Sequence, residues 1–113
     1  LVAEDVESNF LLLKAIIGKT YTLLHAWNGK EAVEIYEQSH PDLILMDIKM
    51  PEMDGLEATR IIRKVSQEIP IIALTAFAFD DDRVKALEAG CNDYLTKPLS
   101  APLLKETIAK YLV

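Results

Sequence analysis

Two hydrophobic rhythms alternate along this chain. Short continuous apolar runs closed by turn formers give way to stretches in which apolar residues recur every three or four positions. Leu43 to Met46, and Ile71 to Leu74 behind Pro70, are runs of the first kind. Such runs read as strands buried on both faces. Leu1 to Ala3 reads as the end of another, expected to be cut short at its start. Tyr21 to Trp27 is rich in aromatic and apolar residues and reads as a strand, as does the short segment Asp93 to Thr96.

The intervening stretches predict helices. The first runs from about Glu7 to Ile17, with Leu12, Leu13 and Ile16 on one face and Gly18 at its end. Asn28 caps a second, whose inner face is Ala32, Ile35, Tyr36 and Ser39 and which Pro41 closes. Asp54, with Glu57 three residues on, resembles a capping box. The helix it opens buries Ala58, Ile61, Ile62 and Val65 and shows Arg60, Arg63 and Lys64 to water. A fourth, about Asp81 to Ala89, is weakly amphipathic and expected to be mobile; Asp80 to Asp82 put negative charge at its start, and Gly90 ends it. Ser100 caps a last helix with Leu104, Ile108, Tyr111 and Leu112 on its face.

Strand and helix thus alternate five times with short connections. That pattern predicts an α/β fold: a three-layer, doubly wound, five-stranded parallel sheet in the flavodoxin-like order 2-1-3-4-5, helices on both faces. A chain of 113 residues has room for one domain, 1–113, expected to be excised from a longer protein. Half the residues are apolar and 27 % are charged, which is globular composition. A formal net charge of −6 argues against direct nucleic-acid contact. No run of 18 apolar residues exists, so no membrane span is expected, and no signal peptide is visible. One cysteine, Cys91, rules out an internal disulfide and fits a reducing, cytoplasmic setting. With it, His25 and His40 cannot assemble a zinc site; these histidines and Trp27 read as structural.

The predicted strand ends bring the chemistry together. Strand one delivers Glu4 and Asp5, strand three Asp47, strand four Thr75 and strand five Lys97. In an open α/β sheet these carboxyl ends form the binding crevice. Three converging carboxylates would repel one another by roughly several kcal/mol at a partly buried dielectric. Mg²⁺, or another hard divalent cation such as Mn²⁺, resolves the conflict. The set suits phosphoryl transfer, which is mostly positioning and charge neutralisation. Asp47 is the candidate nucleophile, forming an aspartyl phosphate. Asp5 and Asp47 are candidate metal ligands and Glu4 holds a metal-bound water. Thr75 and Lys97 are candidates to bind phosphoryl oxygens.

The segments AED near the start, LILMDIKMPEMDG, ALTA and CNDYLTKP, each at its expected strand end, resemble the receiver domain of two-component response regulators. The resemblance covers essentially the whole chain. It implies a signalling switch that assists its own phosphorylation and dephosphorylation, with a histidine kinase or histidine phosphotransfer domain donating to Asp47. It also implies that the Lys49 backbone carbonyl is a metal ligand and that Tyr94 turns inward with Thr75 on phosphorylation. An output or partner domain would then read the surface from about Asp81 to Tyr111. AEDVESN, with Asn9 four after Asp5, and EAGCNDYLTKP most resemble receivers fused to hybrid sensor histidine kinases. The geometry of the family further implies that Lys49 and Phe77 flank the path of water to the acyl phosphate. A long cation and a bulky ring there should slow hydrolysis.

Other readings compete for these residues. A flavin-binding electron carrier needs a Ser/Thr/Gly-rich phosphate loop after strand one, where this chain has Glu4 and Asp5. Aspartyl phosphatases carry a second acid two residues after the nucleophile, where Lys49 stands. A pseudo-receiver that keeps the fold without phosphorylation remains as a binding-module alternative. No GxxxxGK loop is present to serve an NTPase.

Overall fold

The structure, a computed structural model, describes residues 1–76 and 80–112, and for residues 80–82 their backbone alone. Strands β1 (Val2–Ala3), β2 (His25–Ala26), β3 (Ile44–Asp47), β4 (Ile71–Thr75) and β5 (Asp93–Thr96) alternate with helices α1 (Glu7–Ile17), α2 (Gly29–Ser39), α3 (Gly55–Val65), α4 (Asp80–Ala89) and α5 (Ala101–Tyr111). The strands form one parallel sheet in the order β2-β1-β3-β4-β5.

Alternation along the strands sorts the core into two layers. Ile44 and Met46 of β3 and Ile71 and Ala73 of β4 face α2, α3 and α4, where Ala32, Tyr36, Ala58, Ile62 and Ala86 meet them. Leu45 of β3 and Ile72 and Leu74 of β4 face α1 and α5, packing on Leu13, Ile17, Leu104 and Ile108. Both strands are buried along their whole length, which is why they read as unbroken apolar runs.

The helix starts follow the capping chemistry. Asn28, Asp54 and Ser100 each accept a hydrogen bond from the backbone N–H three residues on. Helix α2 ends at His40, in the left-handed region at φ 44°, whose N–H donates to the Tyr36 carbonyl.

Several expectations are corrected. Of Tyr21 to Trp27, only His25 and Ala26 form β2, because a strand extends only as far as its neighbour pairs with it, and β1 pairs through Val2 and Ala3. Leu12 is half-exposed; the buried stripe of α1 runs through Leu13 and Ile17, one helical turn apart, and Leu12 points about 100° away. Ser39, at the end of α2, is exposed. Val65 is 69 % exposed because α3 ends there and Ser66 turns into extended backbone. Thr59 is buried instead, its hydroxyl donating to the Gly55 carbonyl at 2.7 Å. Arg63 does not simply face water. Its guanidinium donates to the carbonyls of Gly90 and Ser66 and to Asn92 Oδ1, tying α3 to the corner between α4 and β5. Cys91 is buried in that corner, and burial raises its thiol pKa. Among the described residues, no helix is long and apolar enough to cross a membrane.

Candidate functional site

The carboxyl ends of β1, β3, β4 and β5 enclose a cleft of about 240 Å³ whose walls include Glu4, Asp5, Asp47, Lys49, Thr75 and Lys97. It opens beside the switch point between β1 and β3, where the strand order reverses. A larger groove, about 410 Å³, lies at the opposite ends of the strands between Leu1, Tyr21, Pro41 and Ile108. It gathers no carboxylate cluster among the described residues.

Asp47 ends β3 with its side chain 9 % exposed, and Glu4 is wholly buried. Lys97 Nζ reaches both, at 2.8 Å from Asp47 Oδ2 and 3.0 Å from Glu4 Oε2. The lysine is itself aimed by its main chain, whose N–H donates to the Thr75 carbonyl at 2.7 Å and joins the ends of β4 and β5. Thr75 is buried on the cleft wall. The remaining acceptor sites are served locally. Asp47 Oδ1 takes the Lys49 N–H at 3.2 Å, while Glu4 Oε1 takes the Val6 N–H and the Asn9 side-chain amide at 3.2 and 3.3 Å.

The loop after β3 depends on its glycine. Gly55 N–H donates to the Ile48 carbonyl, bringing the start of α3 against the strand end. A Cβ at Gly55 would lie 2.1 Å from the Asp47 carbonyl oxygen. Only a residue without one allows this approach. The loop also turns through Glu52 at φ 64°, and the Lys97-Pro98 peptide that follows β5 is cis.

Two buried carboxylates sharing one ammonium cannot titrate alike. Burial pushes Asp47 up, against the pull of Lys97 and with help from Glu4, to about 6. Burial also works against a charge on Glu4, but its hydrogen bonds with Asp47 and Lys97 outweigh that and hold it low. For Lys97 burial would lower the pKa; hydrogen bonds to Asp47 and Glu4 reverse the sign and raise it. The pair therefore keeps its lysine charged throughout the neutral range.

Asp5 is half-buried, and oxygens of Glu4, Asp5 and Asp47 lie within 4.8 Å of one another. With all three ionised against one ammonium, two negative charges remain. Hard oxygen donors with that charge fit a divalent cation of the Mg²⁺ type.

Five residues expected at the site, Glu4, Asp5, Asp47, Thr75 and Lys97, are thus brought together, and the main chain of Lys49 joins them. The Lys49 side chain is exposed. Tyr94 stands on β5, partly buried against the α2–α4 layer, with the Arg83 guanidinium 5.6 Å over its ring; it does not line the cleft. Phe77 lies outside the described residues. Asn9 and Gly55 complete the site but were not assigned to it from sequence. Each has a local signal, an amide in the first turn of α1 and a glycine directly after the Asp54 cap, that acquires meaning only once the strand ends are in place.

Residues 1–109 match the family model described as the response regulator receiver domain. Polar-differentiation response regulators DivK of Brucella ovis and Brucella anthropi are 40 % identical to the chain over 99 % of its length and 94 % of theirs. Among solved structures, the receiver domain of the sensor histidine kinase PA1611 of Pseudomonas aeruginosa, with a magnesium ion coordinated in its active-site cleft, superposes with a TM-score of 0.91 at 37 % identity, covering 98 % of this chain and 93 % of that one. The Saccharomyces cerevisiae Ssk1 receiver, crystallised with the histidine phosphotransfer protein Ypd1, gives 0.92 at 34 % identity over 97 % and 85 %.

Proposed function

The chain belongs to the response regulator receiver family of two-component signalling, and on that premise we propose that Asp47 is its phosphoryl acceptor. An ionised Asp47 oxygen attacks the phosphorus of a phosphohistidine, forming an O–P bond as the N–P bond breaks. The leaving imidazole takes its proton from solvent, and the product is an aspartyl phosphate. The Lys97 ammonium, already seated between Asp47 and Glu4, turns its charge to a phosphoryl oxygen. The Thr75 hydroxyl donates to another. Asp5, Asp47 and the Lys49 carbonyl would hold Mg²⁺ or Mn²⁺, with Glu4 acting through water, and the ion when bound would supply positive charge against the phosphoryl oxygens. In a cleft partly closed to water each of these contacts is stronger than it would be in bulk solvent.

One observation carries this reading: a single lysine bridges a fully buried glutamate and the strand-end aspartate beside a third carboxylate. A structural ion pair needs one acid, not three.

The donor is a histidine kinase or a histidine phosphotransfer domain, supported by the pairing of the similar Ssk1 receiver with Ypd1. The likeness to receivers of sensor histidine kinases at 37 % and 35 % identity supports a hybrid-kinase parent. Tyr94 and Thr75 form the switch, read out through α4, β5 and α5.

Incubation with acetyl phosphate and Mg²⁺, followed by intact-mass measurement, tests the chemistry. The expected result is a gain of one phosphoryl group, abolished by chelator and in Asp47→Asn. A gain that persists in Asp47→Asn would overturn the assignment.

A further inference from the structure

Outside the cleft, β2 carries an aromatic group that the phosphoryl chemistry leaves unused. The His25 ring stacks on Phe10 of α1, centroids 3.7 Å apart and planes within 1°. Trp27 leans against the same imidazole at 4.2 Å with its plane tilted 38°. Thus the ring is held in place by packing from α1 and from the residue that follows its own strand.

That fixed ring makes one polar contact. Its Nε2 lies 2.9 Å from the backbone carbonyl oxygen of Glu4. A carbonyl only accepts, so Nε2 carries the proton and donates it. The Glu4 N–H meanwhile donates to the Ala26 carbonyl at 2.9 Å. Both polar groups of the Glu4 backbone are therefore held from β2. The β1–β2 ladder has run out by then, its last paired residues being Ala3 and Ala26. The carbonyl that His25 holds belongs to the peptide joining Glu4 to Asp5, the two acids that β1 brings to the cleft.

We infer that His25 is a positioning residue for the cation corner: clamped by Phe10 and Trp27, it fixes the Glu4–Asp5 peptide through its Nε2–H, so that cation affinity depends on an imidazole that touches no cation. The inference rests on the reading of Glu4 and Asp5 as the metal corner. Partners that orient metal ligands from the second layer typically change affinity 10- to 100-fold when removed. Here the held group is the backbone between Asp5, a ligand, and Glu4, which acts through water, so an effect at or just below the lower end of that range is expected.

Electron paramagnetic resonance of free Mn²⁺ measures binding to the whole metal-free chain without any phosphoryl transfer. His25→Phe keeps a ring for Phe10 and Trp27 but has no donor. His25→Gln gives up the ring and restores an N–H near the carbonyl. The expected result is a Kd for Mn²⁺ raised about 5- to 10-fold in His25→Phe and recovered to within about twofold in His25→Gln. Thermal midpoints taken in chelator should fall further in His25→Gln, which loses the ring packing, than in His25→Phe, and Kd values that follow the midpoints instead of the donor overturn the inference. Wild-type affinity in His25→Phe overturns the inference alone, as does a loss in His25→Gln as large as in His25→Phe. Wild-type chain that binds no Mn²⁺ overturns the metal corner and this inference with it.

Discussion

At the scale of single residues, Asp47 sits where burial is unfavourable for stability. Its carboxyl binds a proton more tightly folded than unfolded, at about 6 against an ordinary 3.8. The sign follows by linkage: the stability it contributes is full below pH 3.8 and is lost as pH rises through about 6. Without metal at pH 8, Asp47→Asn should therefore unfold at higher denaturant than wild type. The proton linkage allows at most about 3 kcal/mol, and because Asn weakens the Lys97 contact the expected gain is about 1–2 kcal/mol. Urea titrations at pH 8 and pH 4.5 check it, with the gain shrinking at the lower pH. Lys49 presents a different case, an exposed cation two residues from Asp47. Lys49→Asn should shorten the acyl-phosphate lifetime several-fold, followed by mass spectrometry after donor removal; an unchanged lifetime refutes a shielding role. Asp47 and Thr75 were legible in sequence because each is a polar residue ending an apolar run, and Lys97 because it follows a short predicted strand and precedes Pro98. The contacts of His25 with Phe10 and the Glu4 carbonyl were not, since both partners are distant in the chain and nothing local distinguishes it from an ordinary strand histidine.

Secondary-structure elements show which sequence signals survive folding. Caps at Asn28, Asp54 and Ser100 and the runs of β3 and β4 were legible, because both depend on neighbours in sequence. The extent of β2 and the inner faces of α1 and α3 were not. Those depend on how far a partner strand reaches and where a helix overruns the sheet. Thr59 and Arg63 also escaped a count of apolar positions, one by hydrogen-bonding within its own helix, the other by reaching across to Gly90 and Asn92. The same corner gives a test. Gly90 stands at φ 114°, and a Cβ there would lie 2.7 Å from Arg63 Cγ. Gly90→Ala should cost about 1–3 kcal/mol in chemical unfolding. Combined with Arg63→Ala, the loss should be less than additive, because truncating the arginine removes the steric part and leaves the backbone part.

For the whole molecule, the order of strands was legible from alternation and short connections, whereas the meeting of β1, β3 and β5 at one lysine follows only from closing the sheet in that order. A cation bound by folded protein alone raises stability by mass action, about 2.7 kcal/mol at a concentration 100 times Kd. Mg²⁺ should therefore raise the thermal midpoint of wild type by several degrees and that of Asp5→Asn far less, as differential scanning calorimetry can measure.

Lys97 touches Glu4 across 93 positions of sequence. A nascent chain that has released everything up to β4 already owns Asp47, yet it lacks the ammonium that completes the pocket. Synthesis therefore delivers the carboxylates of the pocket early and their counter-charge late. The bridge between the two buried carboxylates closes only when the last strand has been laid down.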